Sequence, residues 1–150
     1  MATTLTAATL TVSVSESLTL NGTTYDQTVT ETFASIAKFD KRIISIPAST
    51  SSTLYTFAST PAGLQFDSDE LKYLRITNLD DTNQVILTTS AASTAGAQAV
   101  NAGGTYTLMG NGVAGAGSKA AITAIAVLDT IFVRNSSGAA IDIEIVIATA

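Results

Sequence analysis

The segment Leu71 to Thr89, LKYLRITNLDDTNQVILTT, constrains the fold more than any other stretch, because it spells two strands and the reversal between them. Leu74 and Ile76 alternate with Tyr73, Arg75 and Thr77. Val85 and Leu87 alternate with Ile86 and Thr88, so each half has the two-residue period of a sheet with one buried face. Between them Asn78, Asp80, Asp81 and Asn83 have side chains that bond their own backbone and accept turn conformations. The segment is predicted to be a β-hairpin.

The same signals recur along the chain. Leu10, Val12, Val14, Leu18 and Leu20 share one parity with Thr and Ser between them, and the turn dipeptide Asn21-Gly22 follows. Tyr25, Val29 and Phe33 continue a second strand. Ser35 to Lys41 reads as a short helix or an irregular link, and Arg42 to Ile46 as a strand stopped by Pro47. Further strands are expected over Thr53 to Ala58, Thr105 to Met109, Ala121 to Leu128, Thr130 to Arg134 and Ala139 to Ala148. The glycines and small residues of Ala91 to Gly104 and Gly110 to Ala121 read as loops. In the last strand Ile141, Ile143, Ile145 and Ile147 fall on one face, which requires a central or well-covered position, since an exposed isoleucine edge invites uncontrolled pairing. Short strands separated by polar turns predict an all-β, antiparallel β-sandwich, jelly-roll-like or immunoglobulin-like. One domain over residues 1–150 is expected, with residues 1–9 as an N-terminal arm.

Composition narrows the function. The 150 residues carry 7 Lys and Arg against 12 Asp and Glu, a net charge of -5, and the scattered cations offer no field for a polyanion, so direct nucleic-acid binding is not expected. No apolar run approaches the ~20 residues of a membrane span, and MATTLTAATL lacks the basic and apolar regions of a secretion signal. Charged residues are only 13%, with Thr, Ser and Ala in their place, a surface suited to being covered by other subunits.

The chain contains no His and no Cys, which removes the usual Ser-His-Asp and Cys-His nucleophiles and the usual zinc sites. Acidic pairs among Asp67, Asp69, Glu70, Asp80 and Asp81 could be drawn as a glycosidase centre, but acids in turns are ordinarily solvated and sugar-lining aromatics are scarce. The same acids, with Asn78 and Asn83, offer oxygen ligands for calcium without matching an EF-hand loop, and turn formation accounts for them. Gly110, Gly112 and Gly115 satisfy G-x-G-x-x-G, yet the β-branched KAAITAIAVL that follows is no phosphate-holding helix. Asn21-Gly22-Thr23 and Asn135-Ser136-Ser137 match glycosylation acceptors in a chain with no secretion signal. No enzymatic activity and no cofactor are expected.

The run YLRITNLDDTNQVIL, the Gly-Gly turn before Tyr106-Thr107-Leu108, and the alternating Ile-rich C-terminal strand together resemble small β-sandwich structural proteins of tailed bacteriophages, of the capsid-decorating or tail-associated kind. The Thr, Ala and Ser enrichment is similar to virion proteins of marine or cyanobacterial phages. The resemblance covers roughly residues 70 to 150 and implies a symmetric homo-oligomer, a trimer being favoured. It also implies attachment to a capsid or tail surface, with the major capsid protein of the same virion as the expected partner after synthesis in the host cytoplasm. For the interface the expected residues are Leu5, Leu10, Val12 and the loop with Gly110, Gly112, Gly115 and Gly117, although Leu10 and Val12 fit a core equally well. A tail, adaptor or fibre-associated protein is the alternative role, and a carbohydrate-binding attachment module the third.

Overall fold

The computed structural model describes residues 6–63, 65–91, 94–109 and 128–150, and among them the regular structure is entirely strand. Two long strands, β1 (Ala8–Leu20) and β2 (Thr23–Ile36), form a hairpin. The body follows with β3 (Lys38–Ile46), β4 (Ser51–Ala58), β5 (Phe66–Asp67), β6 (Leu71–Asn78), β7 (Val85–Ala91), β8 (Thr94–Val100), β9 (Thr105–Met109), β10 (Thr130–Asn135) and β11 (Ile141–Thr149). These make a five-stranded sheet in the order β5-β4-β10-β7-β8 and a four-stranded sheet in the order β3-β11-β6-β9. Every pairing is antiparallel except the short β4–β5 contact. The molecule is a β-sandwich.

Alternation builds the core. Leu74 and Ile76 of β6 and Ile141, Ile143, Ile145 and Ile147 of β11 meet Val85 and Leu87 of β7 and Ile131 and Val133 of β10, all of them buried. Strand β11 lies between β3 and β6, the covered position its isoleucines demand. On β4 the ladder slips between Ile131 and Phe132, which pair with Tyr55 and Thr53. Leu54 is the extra residue of this bulge, so Leu54 and Tyr55, adjacent in sequence, are both buried.

Three expectations need correction. Strands β6 and β7 do not pair: β6 lies between β11 and β9, and β7 between β10 and β8. The segment from Leu71 to Thr89 is therefore an arch that carries the chain from one sheet to the other, with its two apolar faces meeting across the core. A periodicity of two sets which face is buried but not which strand lies alongside. Second, Thr94–Val100, within the expected loop, is the edge strand β8, held by a regular ladder to β7 from Val85↔Val100 to Ala91↔Thr94. Small side chains suffice there, because an edge strand owes its place to backbone bonding on one side. Third, Ser35 to Lys41 is neither helix nor loose link, since β2 runs to Ile36 and β3 begins at Lys38. The expected strand over Ala121 to Leu128 falls outside the described residues except for Leu128, which is buried in the core.

Candidate functional site

The projecting feature is the β1–β2 hairpin, where an N-terminal arm had been expected only over residues 1–9. Asn21 and Gly22 have φ of 50° and 78°, the positive values that a two-residue reversal of the right twist requires. From Leu10 to Leu20 the strand extends about 30 Å at ~3.3 Å per residue. Pairing places Val14 across from Val29 and Leu18 across from Tyr25 on one face. The other face is hydroxylic: Ser13 bonds Thr30 at 3.1 Å, Ser15 bonds Thr28 at 3.0 Å, and Ser17 donates to Asp26 at 2.6 Å.

Only the base of the hairpin is seated. Phe33 and Ile36 are buried with Tyr73, Val146 and Ala148 on the outer surface of the four-stranded sheet, and Leu10 and Val12 pack half-buried against the same cluster. Between Ala8↔Ile36 and Leu10↔Phe33 the ladder gains a residue on β2, and Ser35 takes φ of 61° there. That bulge lets Phe33 and Ile36, three apart, both reach the body. Beyond it the apolar face stands open, with Leu18 58% and Tyr25 59% exposed, and Val14, Leu20 and Val29 also exposed.

A second feature is a cleft of about 600 Å³ at the side of the sandwich between β3 and β4, lined by Lys38, Asp40, Arg42, Tyr55 and Phe66 among others. The Tyr55 hydroxyl donates to Asp40 Oδ2 at 2.7 Å, and Arg42 Nε lies 3.3 Å from the same oxygen. Burial first, then the bond to Asp40 and its charge, push the Tyr55 phenol far above its ordinary pKa. Lys38 donates to the Gln65 carbonyl at 2.6 Å and sits 4.5 Å above the Phe66 ring, while Arg42 covers Tyr55 at 5.1 Å. The rings that could stack on a sugar are thus covered by the protein's own cations, and the cleft works as a clasp between the sheets.

A third feature, a groove of about 460 Å³, runs along Ser45, Leu79, Asp80, Asp81, Ala140 and Asp142. Asp80 is committed to its own loop, accepting from the backbone N–H of Asn83 at 2.5 Å and of Thr82 at 2.8 Å, and these two bonds hold its carboxyl below the usual range. Among the described residues no three of His, Cys, Asp and Glu are placed to hold a metal ion. Asn135 of the second acceptor triplet is fully buried, whereas Asn21 is exposed at the hairpin tip.

Of the residues singled out from sequence, Leu10 and Val12 are brought together at the hairpin base, where they touch their own chain. Leu5, Gly110, Gly112, Gly115 and Gly117 lie outside the described residues. The sequence marks Val14, Leu18, Leu20, Tyr25 and Val29 as strand positions and does not single them out for the interface. A signal of their exposure was present: Glu16, Gln27 and Glu31 share the face, and a buried face does not take unpaired carboxylates.

No protein-family model matches the chain, and no curated protein matches it. A solved chain described under "Bacillus endospore appendages form a novel family of disulfide-linked pili" is similar at 15% identity and a TM-score of 0.41, over 75% of this chain and 88% of that one.

Proposed function

We propose that the chain is a non-enzymatic structural protein of a virion, a capsid decoration (cement) protein that binds the assembled shell of a tailed bacteriophage. The observation that carries this reading is the hairpin, an apolar face left exposed beyond a seated base, while the rings of the cleft between β3 and β4 are covered by the protein's own cations. Such a face is adhesive and has no use in catalysis. A protein that binds only the assembled lattice stabilises it by mass action, and many weak copies acting together multiply the effect. Its partners are other copies of itself, with a trimer matching the local three-fold points of a shell, and the major capsid protein.

The test is the number of copies in purified particles, counted by quantitative mass spectrometry. Hundreds per particle support decoration. About six or twelve copies place the protein on the tail axis instead, as an adaptor or tail component. Absence from particles overturns the virion reading altogether.

A further inference from the structure

The open face of the hairpin has a counterpart on the same molecule. On the outer surface of the four-stranded sheet, β3 presents Phe39, Lys41 and Ile43 at alternate positions, with Phe39 54% and Ile43 60% exposed. On the hairpin, Val14, Glu16 and Leu18 stand at the same alternate spacing. One triplet is apolar, cationic, apolar, and the other is apolar, anionic, apolar. With ~6.6 Å between alternate residues in both, the two can be laid face to face with Glu16 against Lys41 in either strand direction.

The central charges have opposite signs, Glu16 on the hairpin and Lys41 on the sheet, and the hairpin is acidic throughout, while on the outer face of the sheet Asp142 and Glu144 balance Lys41 and Arg75. Residues Ala8 to Ile36 contain Glu16, Asp26 and Glu31 and no cation at all. On the sheet, Lys41 and Arg75 share a single carboxylate, Glu144, which Lys41 approaches at 3.2 Å. The Lys41 side chain, paired with Glu144, is 56% exposed and so accessible to a second anion. Within one molecule the hairpin is seated only at its base, so its distal half cannot be meeting its own Ile43: both remain exposed.

We infer that the apolar face of the hairpin, centred on Val14, Glu16 and Leu18, docks on Phe39, Lys41 and Ile43 of a second copy of this chain. The inference rests on reading the protein as an assembly subunit, and it names the surfaces that assemble. Two different patches meet, so the contact builds a ring or a filament unless two copies exchange hairpins.

The chain has no cysteine, so single cysteines report the contact without background. Full-length Leu18→Cys is mixed with full-length Ile43→Cys, and in a parallel sample with Phe39→Cys, and each mixture is treated with a short bis-maleimide. A cross-linked heterodimer is expected in at least one of the two. A hydroxyl-face control, Ser17→Cys, gives none. Sedimentation of the unmodified chain should show concentration-dependent association that weakens with salt, and Glu16→Lys should raise its dissociation constant at least ~10-fold. Cross-linking of Leu18→Cys only to itself, or a chain that stays monomeric at every concentration, overturns the inference. Neither result alters the copy count in particles, and absence from particles leaves a hairpin-to-sheet contact standing, so the two readings fail separately.

Discussion

Asn78 and Asn135 make the same join from opposite sheets. Asn78, closing β6 of the four-stranded sheet, donates from Nδ2 to the carbonyl of Val100 on β8 of the five-stranded sheet at 3.0 Å, and to Asn83 at 2.8 Å. Asn135, closing β10 of the five-stranded sheet, donates to the carbonyl of Ile46 on β3 of the four-stranded sheet at 3.0 Å, and to Pro47 and Ala139. Both are fully buried, and each Oδ1 accepts a backbone N–H two residues on, from Asp80 and Ser137. Replacing either with Ala strands carbonyls in a dry setting and should lower stability by about 2–3 kcal/mol in urea unfolding. Asp at position 135 should be worse than Ala, because its carboxylate faces three carbonyl oxygens it cannot bond.

Ser35 holds a left-handed backbone that ordinarily suits glycine. Ser35→Gly should raise the thermal midpoint, a gain of up to about 1 kcal/mol once glycine's extra chain entropy is subtracted. Ser35→Val should lose about 1–2 kcal/mol and expose Phe33, since a β-branched residue resists that conformation. Differential scanning calorimetry of the three proteins checks the order.

Stability should also respond to alkali through Tyr55. Its folded-state pKa is raised by burial and by Asp40 above the reference of 10.0, so its contribution is whole below that value and is lost as pH climbs past it toward the folded-state value. Tyr55→Phe should flatten the decline in unfolding midpoint between about pH 9 and 11, leaving the smaller share from Tyr106, which burial also raises.

At the acid end the sign reverses. Asp80 has a folded-state pKa lowered from 3.8 by the N–H groups of Asn83 and then Thr82, so its contribution is present above 3.8 and withdrawn as pH falls through the lowered value. Asp80→Asn should remove that part of the acid slope, read from urea midpoints measured from about pH 5 to pH 2.

These sites show how far residues alone carry the argument. The isoleucines of β11 announced a central strand, because parity and hydrophobicity are local properties. That Asn78 to Gln84 crosses between sheets was not legible, since a polar turn has the same composition whether it joins neighbouring strands or facing ones. The openness of the hairpin was passed over for a related reason: Val14 and Leu18 have the two-residue period of a buried face, and only Glu16 and Glu31 on the same face mark it as exposed. The partnership of Asn135 with Ile46 joins residues 89 apart in sequence, and no pattern in one chain announces it.

Strand β11 is translated after all the other described strands, yet β3 and β6 both lean on it. Until it arrives, two neighbours wait with unsatisfied backbone edges, and the earliest of them, β3, must find a partner about 100 residues downstream. Maturation should therefore be slow and open to pairing between nascent chains, so cool, dilute expression is expected to give the best yield of native protein.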